Sequence, residues 1–389
     1  PTPPPPPDPV ADDQHAWVRD YVSLVTAMLN STDTVQEVLD VLITWSTPSE
    51  ELRSEVAPYV WAESADLDRD GTEEWLMSLP VPERGQSPMW FPAHLVIYEV
   101  REEVFVPTFV IRGAPPDEVQ AVSPELRLID DITADGQTEV LIEQRWCGAH
   151  TCFTGLTVGR YDGTTWHDLA ADPISQAYTD LTIEDRDGDG ALEFIMHGGI
   201  IGSVGAGLQR ERTLIFAWED GAYRLVQELP DPSDHPYYLM LDANTALAEG
   251  DWERALELAA QAVDEPDFEG SMVPVEDVDR QRIISYAAVQ AMLVHAHRGD
   301  AAQMEALLDQ VLGYDFMEPN VYTEAAERLI ATFRDTGDVL EACIAMEAVV
   351  AQQPDDAIFF QWYGYNTTRI IVDQVCPLDG PTDDESPQL

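Results

Sequence analysis

A nine-residue acidic pattern, complete in two places and degraded in a third, constrains this chain more than any other feature. Asp66-Leu67-Asp68-Arg69-Asp70-Gly71-Thr72-Glu73-Glu74 and Asp185-Arg186-Asp187-Gly188-Asp189-Gly190-Ala191-Leu192-Glu193 both read D-x-D-x-D-G-x-x-E. Between them, Asp131, Thr133, Asp135, Gly136 and Glu139 occupy the matching places of a third copy, in which Thr133 stands where the others carry a carboxylate. In such a loop the side chains at positions 1, 3, 5 and 9 converge on one point. The backbone carbonyl of position 7, which is Thr72 or Ala191, adds another oxygen, and the glycine permits the sharp turn. Hard carboxylate and carbonyl oxygens suit calcium better than softer metals. The alternative is an Asp-Gly turn that is merely solvated.

The repetition extends beyond the loops. Residues 58–228 form short β-rich runs broken by Asp and Gly, and an aromatic residue opens a turn 27 residues after Gly71 (Tyr98), 25 after Gly136 (Tyr161) and 28 after Gly190 (Trp218). A second aromatic closes each hairpin signal: Phe105, Trp166 and Tyr223. Three units of about four strands each follow. The arrangement resembles the integrin-alpha-like propeller repeats of the FG-GAP or VCBS class, in which an acidic loop after the first strand of each blade binds calcium. The resemblance implies structural calcium rather than a catalytic metal. The Phe-Gly signature is absent, and three units are fewer than a closed propeller needs. An open or irregular arc of three antiparallel blades is therefore expected.

From Pro236 to about Cys376 the apolar period becomes helical. Leu239, Ala243, Gly250, Trp252, Ala255, Ala259, Ala262 and Pro266 resemble a tetratricopeptide repeat, and Gly299-Asp300 and Gly337-Asp338 mark two further turns. A last helix from about Asp356 to Val375 is expected to cap the stack. Upstream of the β region, residues 13–57 carry two apolar-periodic stretches and read as a helical hairpin packed on the next domain. Residues 1–12 are a proline-rich stalk, extended and without a core of its own. Such stalks often follow a lipidated or membrane-held N-terminus, so a removed export signal is expected. Residues 377–389 are an acidic tail. The expected fold class is thus α+β multidomain: helical hairpin, three propeller-like β blades, and a tetratricopeptide-like α-solenoid.

Charge narrows the function. The chain of 389 residues carries 73 Asp and Glu against 20 basic residues, a net charge of −53, and all 20 basic residues are Arg. Without Lys there is no Schiff base, no Walker-type phosphate loop and no kinase-type Lys contact. The charge repels nucleic acid and anionic membranes and favours divalent cations and basic partners. Adaptation to salt or a GC-rich genome would produce it equally well. No catalytic motif stands out, and no run of about 18 apolar residues occurs.

None of the four cysteines lies in a C-x-x-C pair. Cys147 and Cys152 are expected to staple the hairpin between the second and third strands of the middle unit. The competing reading is a metal site using His150 with both thiols. Cys343 and Cys376 are expected to be joined because the final helix runs antiparallel to the one before it. Two disulfides suit an oxidising compartment. The loop carrying Trp90 and Phe91, the segment around His150, and a glycine-rich loop from Gly198 to Gly207, whose Gly202–Gly207 stretch reads as flexible, are expected to share one end as a partner rim, although Trp90 and Phe91 could equally pack in the core.

The expectation is therefore a non-catalytic, extracytoplasmic, surface-tethered scaffold with Ca2+ as its cofactor. It would engage a protein or surface polymer but not nucleic acid, and would meet a membrane only through an N-terminal anchor. A self-assembling structural subunit of a filament or envelope complex is the first alternative. An accessory or cryptic hydrolase is the second.

Overall fold

The computed structural model describes residues 14–46, 53, 57–80, 93–111, 123–148, 150–264, 276–315, 317–357, 364–368 and 375–379. These divide into two compact units, drawn from 1–201 with 211–230 and from 202–210 with 231–389. The chain is mixed α/β, with an N-terminal helical region, three antiparallel sheets and C-terminal helices.

In the first unit, helices α1 (Gln14–Leu29) and α2 (Val35–Ser46) bury Tyr21, Val25, Val38 and Leu42 against the first sheet. The Tyr21 hydroxyl donates to the Pro80 carbonyl at 2.7 Å, and the Asn30 side chain bonds both the amide and the carbonyl of Phe105. Each sheet is a meander in strand order. The first comprises β1 (Ala62–Ala65), β2 (Glu74–Pro80), β3 (Ala93–Arg101) and β4 (Val104–Ile111). The second comprises β5 (Ser123–Asp130), β6 (Glu139–Cys147), β7 (Cys152–Tyr161) and β8 (Trp166–Asp168), and the third β10 (Asp180–Glu184), β11 (Glu193–Gly198), β12 (Arg212–Glu219) and β13 (Ala222–Pro230).

Two details depart from expectation. The middle sheet has a fifth strand, β9 (Ile174–Ala177), which pairs with β7 because β8 covers only the far end of that long strand. The hairpin aromatics also align differently. Tyr161 faces Trp166 and Trp218 faces Tyr223, but Phe105 faces Val100 rather than Tyr98. A bulge at Ile97/Tyr98 shifts the register, and Tyr98 meets Phe105 only diagonally, edge to face at 6.2 Å between ring centroids.

The second unit stacks three helical pairs: α3 (Pro236–Glu249) with α4 (Trp252–Asp264), α5 (Asp277–His297) with α6 (Ala301–Leu312), and α7 (Val321–Thr336) with α8 (Val339–Ala351). Each pair turns at a Gly-Asp step. Gly250, Gly299 and Gly337 take φ of 77°, 76° and 69°, the left-handed conformation that ends a helix. The following Asp accepts amides of the next first turn, as Asp300 does from Gln303 and Asp338 from Leu340 and Glu341. Long α5 is buried around most of its circumference, and Ala255, Ala259 and Ala262 of α4 let the helices approach closely.

The expected capping helix over 356–375 is not continuous. Helix α9 is short (Pro354–Ala357), and residues 364–368 form a turn in which Gly364, at φ 145°, lies against Ala206 and Gly207 too closely for any side chain. That contact also corrects the reading of the glycine loop. Residues 202–210 belong to the helical unit, where Ala206 and Leu208 are buried and the Tyr365 and Asn366 amides donate to the Gly205 and Ala206 carbonyls. Arg210 closes the loop with two bonds to Asp242, at 2.8 and 2.6 Å.

Candidate metal centre

The three acidic loops lie between the first and second strands of their sheets and share one backbone design. Position 4 has positive φ in each, at Arg69 (60°), Ala134 (57°) and Gly188 (83°), and so does the glycine at position 6. That glycine's amide donates to the position-1 carboxylate: Gly71 to Asp66 at 3.1 Å, Gly136 to Asp131 at 2.9 Å, Gly190 to Asp185 at 3.1 Å. The amides of Thr72, Gln137 and Ala191 donate to Asp70, Asp135 and Asp189 two residues back. The position-9 glutamate opens the second strand and accepts the position-2 amide, from Leu67 to Glu74 at 2.8 Å, Ile132 to Glu139 at 2.9 Å, and Arg186 to Glu193 at 2.6 Å. Local hydrogen bonding thus turns the carboxylates inward.

In the two flanking loops no described residue places a charge of opposite sign against the converging carboxylates. One carboxylate oxygen each from Asp66, Asp68 and Asp70 lie within 4.8 Å of one another, as do oxygens of Asp185, Asp187 and Glu193, so either group could hold a metal ion. Glu74 and Asp189 are not in those tightest sets. Glu74 is 2% exposed, and burial, opposed by the Leu67 amide and reinforced by the Asp68, Asp70 and Asp66 charges, pushes its carboxyl up to about 7. Asp66 Oδ1 is buried with no hydrogen-bond partner among the described residues. An all-oxygen donor set with an orphaned oxygen and a buried carboxylate raised chiefly by its burial fits a hard cation.

No family model matches the chain, and no curated protein matches it. What the loops can bind follows from their own atoms.

The middle loop differs at its centre. Arg160, on β7, donates to Glu139 Oε1 from Nε at 2.8 Å and from Nη2 at 2.6 Å, and to Asp135 Oδ2 at 2.7 Å. Glu139 is fully buried, so the guanidinium is its compensating charge. Burial raises the Asp135 carboxyl, but the Gln137 amide and Arg160 outweigh this and hold it below its ordinary value. The position-7 carbonyl, Gln137 O, accepts from Arg69 Nη2 of the first loop at 3.2 Å. Among the described residues the expected ligands Asp131, Thr133, Asp135 and Glu139 form no metal-sized cluster.

Arg160 is the residue that motif reading missed. Its signal was positional. It precedes Tyr161 by one residue, and continuing the observed register (Val140 with Gly159) sets it opposite Glu139. The same place in the first sheet is Glu99, paired with Glu74, and in the third Ala217, one step beyond the Phe194–Phe216 pair.

The three loops are also joined in series. Thr138 Oγ1 donates to the Asp66 carbonyl at 3.1 Å, and the Leu192 amide donates to the Ile132 carbonyl at 2.9 Å. At the other end of the middle sheet, Cys147 and Cys152 face each other across β6 and β7 and form a disulfide, so neither thiol is available to a metal with His150. The His150 carbonyl accepts the Tyr178 hydroxyl. Cys343 and Cys376 form the second disulfide, with Cα atoms 5.5 Å apart. Trp90 and Phe91 lie outside the described residues.

Proposed function

We propose that this chain is a calcium-stabilised, extracytoplasmic scaffold whose sheets and helical pairs present binding surfaces to a protein or surface polymer. The carrying observation is the internal comparison of the loops. Three share one backbone, two gather carboxylates with no counter-charge among the described residues, and the middle one has the same arrangement closed by an arginine. A guanidinium at the equivalent place in the third loop is a stand-in cation and supports cation binding in the other two. Asp66, Asp68, Asp70 and Glu74, with the Thr72 carbonyl, would hold one calcium. Asp185, Asp187, Asp189 and Glu193, with the Ala191 carbonyl, would hold the other. The ion would cancel repulsion among the carboxylates and fix the start of each second strand.

The two disulfides fit an oxidising compartment, and among the described residues no helix is long and apolar enough to cross a membrane. Surface tethering, a propeller-like arc and tetratricopeptide-like pairs remain part of this proposal. Capture on the immobilised full chain from cell-envelope material tests the scaffold role. A partner retained in millimolar calcium and released by chelator supports it, and recovery of nothing beyond a blank support contradicts it.

A second reading, self-assembly, is favoured by edge strand β13, where Leu225, Val226 and Leu229 are exposed. Native mass spectrometry showing a concentration-dependent homo-oligomer would favour it. A strict monomer would remove it.

A further inference from the structure

We infer that Arg160 is a built-in counter-ion that takes the cation's place in the middle acidic loop, making the central sheet metal-independent while its neighbours depend on metal. This rests on the proposal that the flanking loops bind calcium.

Three observations carry it. Arg160 contacts the position-5 and position-9 carboxylates, two of the groups that a bound ion would engage, and the carbonyl a metal would use at position 7 is already occupied by Arg69. Thr133 removes the position-3 carboxylate, and its own hydroxyl turns to Glu139 at 3.3 Å. The loss of one negative charge in the loop is matched by one positive charge brought to it from β7, while the backbone bonds that shape the loop are kept. A cavity lined by four carboxylates needs a divalent ion, whereas one lined by three with a guanidinium between two of them is largely compensated without one. Asp131 Oδ1 is buried with no hydrogen-bond partner among the described residues, as Asp66 Oδ1 is, and is the oxygen a third ion would use if the arginine were removed.

The arrangement has a consequence for calcium depletion. The middle loop accepts or donates hydrogen bonds to both neighbours, through Thr138 to Asp66 and through Ile132 to Leu192. A centre that stays formed without metal keeps the two outer loops near their binding shape.

The test counts calcium on the full-length chain by equilibrium dialysis with elemental analysis. Wild type should bind two ions, and Asp68→Ala and Asp187→Ala one each. Asp135→Ala should still bind two. The double variant Thr133→Asp with Arg160→Met should bind three. In chelator, Arg160→Met alone should lower the unfolding midpoint of the sheet-containing unit by about 10 °C, the scale for stranding a buried carboxylate. A wild-type count of three, or an unchanged midpoint in Arg160→Met, overturns the inference. A wild-type count of zero with the midpoint lowered removes the calcium proposal and leaves the arginine's role standing, so the two failures are distinguishable.

Discussion

The middle acidic loop and its two neighbours have the same fold and different centres. In all three, a left-handed glycine, a side-chain-to-backbone turn and a glutamate bonded to the second amide draw carboxylates toward one point. In the outer loops that convergence leaves negative charges facing one another, and Glu74 is raised toward neutrality chiefly by burial, with the neighbouring Asp charges adding to it. In the middle loop the charge is met by Arg160 from the adjacent strand. Loop shape and ion dependence are therefore separable. Short-range hydrogen bonds build the shape, and on the proposal above a single cross-strand position sets whether the cation comes from solvent or from the chain.

The largest effect expected from this contrast comes from removing the internal cation. Arg160→Met should cost about 3 to 5 kcal/mol in chelator, because the buried Glu139 is left uncompensated. Glu99→Met, at the equivalent place in the first sheet, should change stability by no more than about 0.5 kcal/mol, since Glu99 is partly exposed and its partner Arg101 is largely so. Denaturant titration of the two variants measures the asymmetry, and equal costs would break the comparison.

Calcium should act in the opposite sense on the outer loops. At a concentration about 100 times Kd each site adds roughly 2.7 kcal/mol to the native state. Asp187→Ala should abolish one such increment, whereas Asp135→Ala should lower stability equally with and without calcium because it weakens the Arg160 pair. Calcium titration of thermal unfolding separates the two behaviours.

A smaller effect is expected from pH. The Glu74 carboxyl is raised from its ordinary 4.5 to about 7 in the metal-free fold, so between those values the native state holds a proton that the unfolded chain has lost. Native protonation exceeds unfolded protonation there, and stability falls as pH rises from about 4.5 to about 7. Metal-free wild type should thus lose stability across this window relative to Glu74→Gln, which cannot titrate. A constant difference between the two would contradict the assigned cause. Protons should also compete with calcium at the first loop, weakening binding as pH falls below about 7.

Much of this architecture was legible because its determinants are local. The nine-residue loops, the Gly-Asp helix turns and the five-residue Cys147–Cys152 separation each carry their geometry within a few residues. The rest depended on contacts far apart in sequence. Arg160 lies 21 residues beyond Glu139 and is matched to it only by strand register, which a bulge such as that at Ile97/Tyr98 can displace. The Gly202–Gly207 segment looked like a flexible loop because nothing nearby in sequence orders it. Its partners, Gly364 to Thr367, lie more than 150 residues away and interrupt the expected last helix for the same reason.

Hydrogen exchange of the full-length chain, compared between millimolar calcium and excess chelator, tests the contrast among the loops most directly. Residues 66–74 and 185–193 should gain protection when calcium is added, while 131–139 should be protected in both conditions and unchanged. Equal responses in all three loops, or none in any, would contradict this contrast.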